Sequence, residues 1–305
     1  MRHRSTAPVL RQRASGLAPV ARSVINYPGI LKFYGRAEAL KGLRSLALVV
    51  LALVGLLVVA ACGGSGGGGS DGEASAEDVK VASDIAYPPF EYEKGGEPVG
   101  FDIDLMDEIA KRANLNVEYQ NVTFDGIIGG LSSNLYDASI SSMTITPERA
   151  KKIDFSDPYF NADQSLLVPS DSDIGSVGEI GDATVGVQIG TTGEIKANDF
   201  EERGDITGEI RTFDTIEDAF AALNNGQIDA IINDLPVSQD EVNGSDGALE
   251  IVQVIPTGEQ YGIAFPKDSD LRADVNKALQ EIKDDGTYEE IYEKWIGRAP
   301  EEIPE

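Results

Sequence analysis

Histidine and cysteine are almost missing from this 305-residue chain, which holds one of each, His3 and Cys62. Gly63 to Glu305 therefore contains neither imidazole nor thiol. That removes Ser-His-Asp and Cys-His catalysis, Cys/His zinc sites and disulfides together from the body of the chain. Positive charge is scarce too: 25 Lys and Arg stand against 52 Asp and Glu, a formal net charge of −27. Nine of those bases fall in residues 1–61 beside a single acid, Glu38, which leaves the other 244 residues with 16 bases and 51 acids. A body so acidic repels phosphate backbones, and a nucleic-acid partner is excluded. Carboxylate chemistry and hard-metal binding stay open, but Asp240 to Asp246 lacks the spacing of an EF-type calcium loop, and no metal or cofactor is expected.

What is present begins with one long apolar run, Leu46 to Ala61 (LALVVLALVGLLVVAA), 16 residues preceded by Lys41 and Arg44. A membrane-crossing helix needs about 20 such residues, so the run suits the h-region of a secretory signal, and residues 1–61 read as a leader. The stretch ahead of the run is Arg-rich and longer than a signal requires; a translation start nearer Leu40 would leave an ordinary n-region. The run ends at Val59-Ala60-Ala61-Cys62, which resembles the lipobox of bacterial lipoproteins. That resemblance implies cleavage before Cys62, acylation of its sulfur, and attachment to the extracytoplasmic face of the cell membrane, each buried CH₂ contributing about 0.8 kcal/mol. Residues 62–78 continue as GGSGGGGS and a small acidic stretch, a flexible tether with a reach of roughly 20 Å.

From Val79 onward, short apolar runs alternate with segments of helical period, the pattern of an α/β protein. Val79 to Ala82 reads as a strand, and Asp102 to Ala113 as a helix with Leu105, Met106, Ile109 and Ala110 on one face and Asp102 capping its start. The acids of that helix, and Glu289, Glu290 and Glu293 further on, read as solvated faces. The chain also matches itself at an offset of 92. Leu131 to Ser142 aligns with Leu223 to Asp234, each reading as a helix end, a turn and a strand opening at Asp-Ala. Two similar α/β lobes are the expected outcome, with ligand-facing residues beyond the strand ends: Ser141, Ser142 and Thr144 in one, Asn233 and Asp234 in the other.

Nine segments, in order, carry a resemblance over Val79 to Arg298. They are Ser83-Asp-Ile-Ala-Tyr-Pro-Pro-Phe-Glu-Tyr92, Gly100-Phe-Asp-Ile-Asp-Leu105, Phe124-Asp-Gly-Ile-Ile128, Ser141-Ser-Met-Thr-Ile-Thr-Pro-Glu-Arg149, Ile153-Asp-Phe-Ser-Asp-Pro-Tyr159, Val185-Gly-Val-Gln-Ile-Gly-Thr-Thr-Gly193, Asn233-Asp-Leu-Pro236, Tyr261-Gly-Ile-Ala-Phe-Pro266 and Asp285-Gly-Thr-Tyr-Glu-Glu-Ile-Tyr-Glu-Lys-Trp295. They resemble the family-3 solute-binding proteins that deliver polar amino acids to ABC importers, and most of all the binders of cationic amino acids and glutamine.

The resemblance implies a division of labour that the chemistry supports. A free amino acid carries a carboxylate and an ammonium on one carbon, and burying both requires a partner for each. Arg149, whose planar fork matches a carboxylate, is expected to hold the α-carboxylate with Thr144, Thr191 and Thr192; the plain alternative is a surface pair with Glu148. Asp234, with Ser142, is expected to hold the α-ammonium; otherwise an Asp at a strand end is a common turn former. Asp84, Tyr87, Phe124, Ser141, Gln188 and Asn233 are implied to surround the ligand's side chain, two rings clamping it and Asp84 facing a distal charge. With Gln188 and no extra Lys or Arg, acidic ligands fit worst, leaving Arg, Lys, His or Gln.

The expected architecture is an α/β, two-lobed periplasmic-binding-protein-like fold of type II with two crossover hinge strands. Lobe one covers 79–160 and 261–298, lobe two 164–256, the hinge 161–163 and 257–260, and the tail 299–305. The expected partners are an amino acid ligand, ABC permease subunits and the membrane through lipid on Cys62, with the protein a monomer. Two rivals of other classes stand beside this reading. Some dehydratases of aromatic amino-acid synthesis share the fold, although no further acid/base pair stands out here. A sensing module of a signalling protein would need a pore, kinase or other output domain.

Overall fold

A computed structural model describes residues 75–305. The expected leader, Cys62 and the Gly/Ser tract lie outside the described residues. Strand β1 (Glu77–Ser83) buries Val79, Val81 and Ala82. The Pro-Pro loop after it is held within a small antiparallel sheet of β2 (Ala86–Tyr87), β3 (Glu91–Lys94) and β4 (Glu97–Val99). Helix α1 (Phe101–Ala113) starts at Gly100, φ 140°, where any Cβ would strike the Phe90 carbonyl oxygen. It ends at Asn114, whose left-handed backbone returns an N–H to the Ala110 carbonyl.

One expectation for this helix fails. Asp102 makes no capping hydrogen bond and is not solvated: it is fully buried, accepting from the Tyr159 hydroxyl at 2.7 Å and from the Ser142 backbone N–H at 2.8 Å. Gly100 occupies the cap, and the stripe of Phe101, Leu105, Met106 and Ile109 turns Asp102 inward with it.

The chain continues through β5 (Leu115–Asn121), α2 (Phe124–Ser132), β6 (Ala138–Ser139), α3 (Pro147–Ala150) and β7 (Asp154–Phe155). Strand β8 (Phe160–Pro169) carries it into a second set: β9 (Val185–Gln188), α4 (Thr192–Arg203), β10 (Ile210–Phe213), α5 (Ile216–Asn224), β11 (Ala230–Asp234) and α6 (Leu235–Gly244). Strand β12 (Leu249–Tyr261) returns it to β13 (Ala264–Phe265), α7 (Leu271–Asp284) and α8 (Thr287–Ile296). Two five-stranded sheets result, ordered β5-β1-β6-β13-β7 and β10-β9-β11-β8-β12. Because β13 lies between β6 and β7 in the first sheet, the chain passes between the lobes twice.

The internal match reappears as structure. Helices α2 and α5 begin and end 92 residues apart, and so do the first residues of β6 and β11. The aspartates opening each strand do the same job: the Asp137 carboxylate accepts from the Lys80 N–H at 2.9 Å, and that of Asp229 from the Thr184 N–H at 2.7 Å. Each also donates its own N–H to that same partner's carbonyl. An aspartate there pins the strand to its neighbour by two bonds, which is why the Asp-Ala signature recurs.

Between the lobes, β8 and β12 run antiparallel, with Gln260 opposite Asn161 and Tyr261 opposite Phe160. Their ladder is irregular between Ile255 and Glu259, and there the Asp163 carboxylate accepts the N–H groups of Thr257 at 2.7 Å and Gly258 at 3.0 Å. Beside this crossing sits an aromatic cluster. Phe90 meets Phe160 edge-on at 4.8 Å, and Phe160 stacks on Tyr261 at 5.6 Å and on Tyr292 at 5.3 Å. Such pairs add about 0.5 to 1.5 kcal/mol each beyond area burial, so lobe one grips the roots of both crossing strands.

Candidate functional site

The strand ends of both sheets point into one cleft, and loops leaving them supply its lining. From the first sheet, β1 delivers Asp84, the Pro-Pro loop Tyr87, α2 Phe124, and the turn after β6 Ser141, Ser142 and Thr144. Arg149 sits on α3, whose single turn is fixed because Thr146 caps the Arg149 N–H at 3.2 Å and Pro147 opens the helix. From the second sheet come Gln188 at the end of β9, Thr191 and Thr192 at the start of α4, and Asp234 at the end of β11. Every ligand residue picked from the sequence lines this pocket except Asn233, which lies buried beside it and accepts from the Tyr87 hydroxyl at 3.1 Å. The free volume is about 10 Å³, the room of a single water, so the cleft as it stands holds nothing larger.

Polar groups of the two lobes satisfy each other across that narrow space. Arg149 donates to the Thr144 carbonyl at 2.7 Å and, across the cleft, to the Gly190 carbonyl at 3.0 Å, with its guanidinium 5.2 Å from the centre of the Phe124 ring. A guanidinium has five N–H donors, so donors are left over for a carboxylate. Burial works against its charge, and the charges of Asp234 and Glu259 push back. Gln188 donates to the Asp84 carboxylate at 2.6 Å, again from lobe to lobe. Burial, eased by that bond, pushes Asp84 up to about 6.

Asp234 is also buried and pushed up to about 6, first by desolvation and then by the charge of Glu259. It accepts hydrogen bonds from the Tyr261 hydroxyl and the Gln164 amide. Tyr261 is the last residue of β12 and Gln164 lies within β8, so both crossing strands hold the aspartate in place. Glu259 accepts from Thr144 at 3.0 Å, Thr192 at 2.8 Å and Gln164 at 3.2 Å, gathering both lobes and the crossing onto one carboxylate.

Two acids here escaped the sequence reading. Glu91 lines the pocket, fully buried, taking hydrogen bonds from Ser141 at 2.9 Å and Ser142 at 3.4 Å. Desolvation first, and the nearby charge of Asp102 second, push it well above the ordinary carboxylate range. Glu259 is the other. The only signal for Glu91 was its place in the run Tyr87-Pro88-Pro89-Phe90-Glu91, between apolar residues where a solvated acid would be unusual.

Comparison with known proteins supplies the family. Residues 79–298 match the family described as bacterial extracellular solute-binding proteins, family 3. The arginine-binding extracellular protein ArtP of Bacillus subtilis is 34% identical over 229 residues, 74% of this chain and 89% of that protein. Among solved structures, the arginine-, lysine-, histidine-binding protein ArtJ of Geobacillus stearothermophilus is 39% identical with a TM-score of 0.69, covering 74% of this chain and 97% of that one. An ancestral amino acid-binding protein, AncCDT-1, a precursor of cyclohexadienyl dehydratase, is 40% identical with a TM-score of 0.66, covering 72% and 95%.

Proposed function

This chain belongs to family 3 of the bacterial extracellular solute-binding proteins, and on that footing we propose that it captures a polar L-amino acid between its lobes and hands it to an ABC permease. Arginine, lysine or histidine is the favoured ligand, with glutamine next. One observation carries the reading: Arg149 from lobe one and Asp234 from lobe two line the same pocket, where a single zwitterion can span them. The ligand's carboxylate takes the spare donors of Arg149, helped by Thr144, Thr191 and Thr192, while its ammonium takes Asp234 with Ser142. Asp84 supplies a carboxylate for a distal cation, and Arg149 is the sole cation among the lining residues. Tyr87 and Phe124 flank the side chain, and rings facing a cation contribute about 0.5 to 2 kcal/mol.

Closure follows from differential affinity. The ligand's two poles find partners on different lobes, so both contacts exist together only when the lobes meet, and the closed form binds better by the contact that the open form lacks. Attachment of the body to the extracytoplasmic face of the membrane through lipid on Cys62 completes the proposal; the relatives named above support capture outside the cytoplasm.

A binding protein rather than an enzyme is the reading favoured by the site. The likeness to AncCDT-1 keeps dehydration of a cyclohexadienyl substrate as the second reading, but AncCDT-1 is itself described as amino acid-binding. Arg149 and Asp234 together suit an intact zwitterion, and the pocket offers no imidazole or thiol. A thermal-shift screen of the twenty amino acids tests the proposal: a cationic amino acid should raise the melting temperature by several degrees. A screen in which none of the twenty shifts it would sink the binding role, and turnover of prephenate or arogenate would favour the second reading.

A further inference from the structure

Five non-glycine residues in the described chain adopt positive φ, and four are Asn or Asp: Asn114, Asn134, Asp246 and Asp268. Those side chains tolerate left-handed backbone through local hydrogen bonds. Ser142, φ 46°, is the exception, and it is buried in the pocket wall. Its conformation is held from behind. The Ser142 N–H is shared between the Asp102 carboxylate at 2.8 Å and the Tyr159 hydroxyl at 3.1 Å, while that hydroxyl donates to the same Asp102 oxygen at 2.7 Å. Both Asp102 and Tyr159 are fully exposed to nothing but protein. Burying a carboxylate is costly, and here its work is to hold a strained backbone.

We propose that Asp102, although it does not line the pocket, is a positioning residue that keeps Ser142 left-handed and so sets the strength of ligand binding. This rests on the amino-acid-binding reading above. The left-handed residue turns the chain after β6 so that Ser141 and Ser142 both reach Glu91 at the pocket floor, and two residues on Thr144 pairs with Tyr261 of the crossing strand. Released, Ser142 relaxes to negative φ and carries its hydroxyl, and the path of the chain toward Thr144, out of register with the ligand. Tyr159 serves the same end by aligning the Asp102 carboxylate.

The test is a double-mutant cycle on arginine affinity, measured by calorimetry with melting temperature followed in parallel. Asp102→Ala should weaken arginine binding about tenfold or more in the wild-type background. Added to Ser142→Gly, the same change should cost about twofold or less, because glycine takes left-handed φ without an anchor. A merely structural role would lower the melting temperature equally in both backgrounds and leave the affinity losses equal; that result, or wild-type affinity in Asp102→Ala, overturns the proposal. Should Asp102→Ala fail to fold, Tyr159→Phe replaces it, with a smaller loss expected and the same relief by Ser142→Gly. Were the wild-type protein to bind no amino acid, the binding reading would fall and this role with it, whereas a binding wild type with multiplicative losses removes the positioning role alone.

Discussion

Acidifying the solution from pH 7 to pH 5 should erase the preference for a cationic ligand without closing the site to amino acids in general. Burial pushes the Asp84 carboxyl up to about 6, and an ionised carboxylate is what attracts a distal cation. At pH 7 about ten Asp84 groups are charged for each one neutral, and at pH 5 the ratio is inverted. Arginine stays charged throughout, so loss of the Asp84 charge alone should lower its affinity about tenfold over that span, with a proton leaving Asp84 as each arginine binds below pH 6. Asp234 also titrates near 6, but it faces the ammonium common to all amino acids and therefore lowers arginine and glutamine alike. The ratio of the two affinities isolates Asp84. Calorimetry with both ligands at pH 5, 6, 7 and 8 reads it, and a ratio that stays constant, or tighter arginine binding at pH 5, would show that no carboxylate with a pKa near 6 faces the side chain.

Arg149→Ala should abolish amino-acid binding in calorimetry while the far-UV spectrum stays native, and Arg149→Lys should rescue little because an ammonium lacks the planar fork; unchanged affinity in either variant removes Arg149 from the site. Asp84→Asn should weaken arginine about tenfold relative to glutamine at pH 7, and equal losses for both would contradict its charge role. Gly193→Ala places a Cβ 2.8 Å from the Ile232 carbonyl oxygen, so the first turn of α4 must shift; a loss of about 1 to 3 kcal/mol should appear as a lowered melting temperature. Cys62→Ala should release the protein from membranes into the soluble fraction, and continued membrane association would point to an uncleaved anchor.

Much of the architecture could be read from sequence because its signals are local and repeated. The helix-turn-strand unit announces itself at both offsets through the same Asp-Ala opening, and the structure gives the reason in the paired bonds of Asp137 to Lys80 and Asp229 to Thr184. That Arg149 and Asp234 would meet in one pocket was legible through the resemblance, since the motifs Ser141 to Arg149 and Asn233 to Pro236 mark them out among many other charged residues. Asp102, Glu91 and Glu259 were not. Their partners come from residues 40 to 115 positions away, and, apart from the apolar neighbours of Glu91, no local pattern separates these carboxylates from solvated ones. The left-handed backbone of Ser142 was equally hidden, because serine gives no hint of positive φ where glycine or asparagine would.

The bond pair at Asp163 bears on what a permease could sense. That carboxylate ties the two crossing strands side by side where their ladder lapses, so that one could not slide past the other without breaking both bonds. On the proposed reading the lobes would swing about this crossing, and their outer rims would occupy matched positions at only one end of the swing. Occupancy would then be converted into shape as a binary signal, which a docking partner would read without touching the amino acid at all.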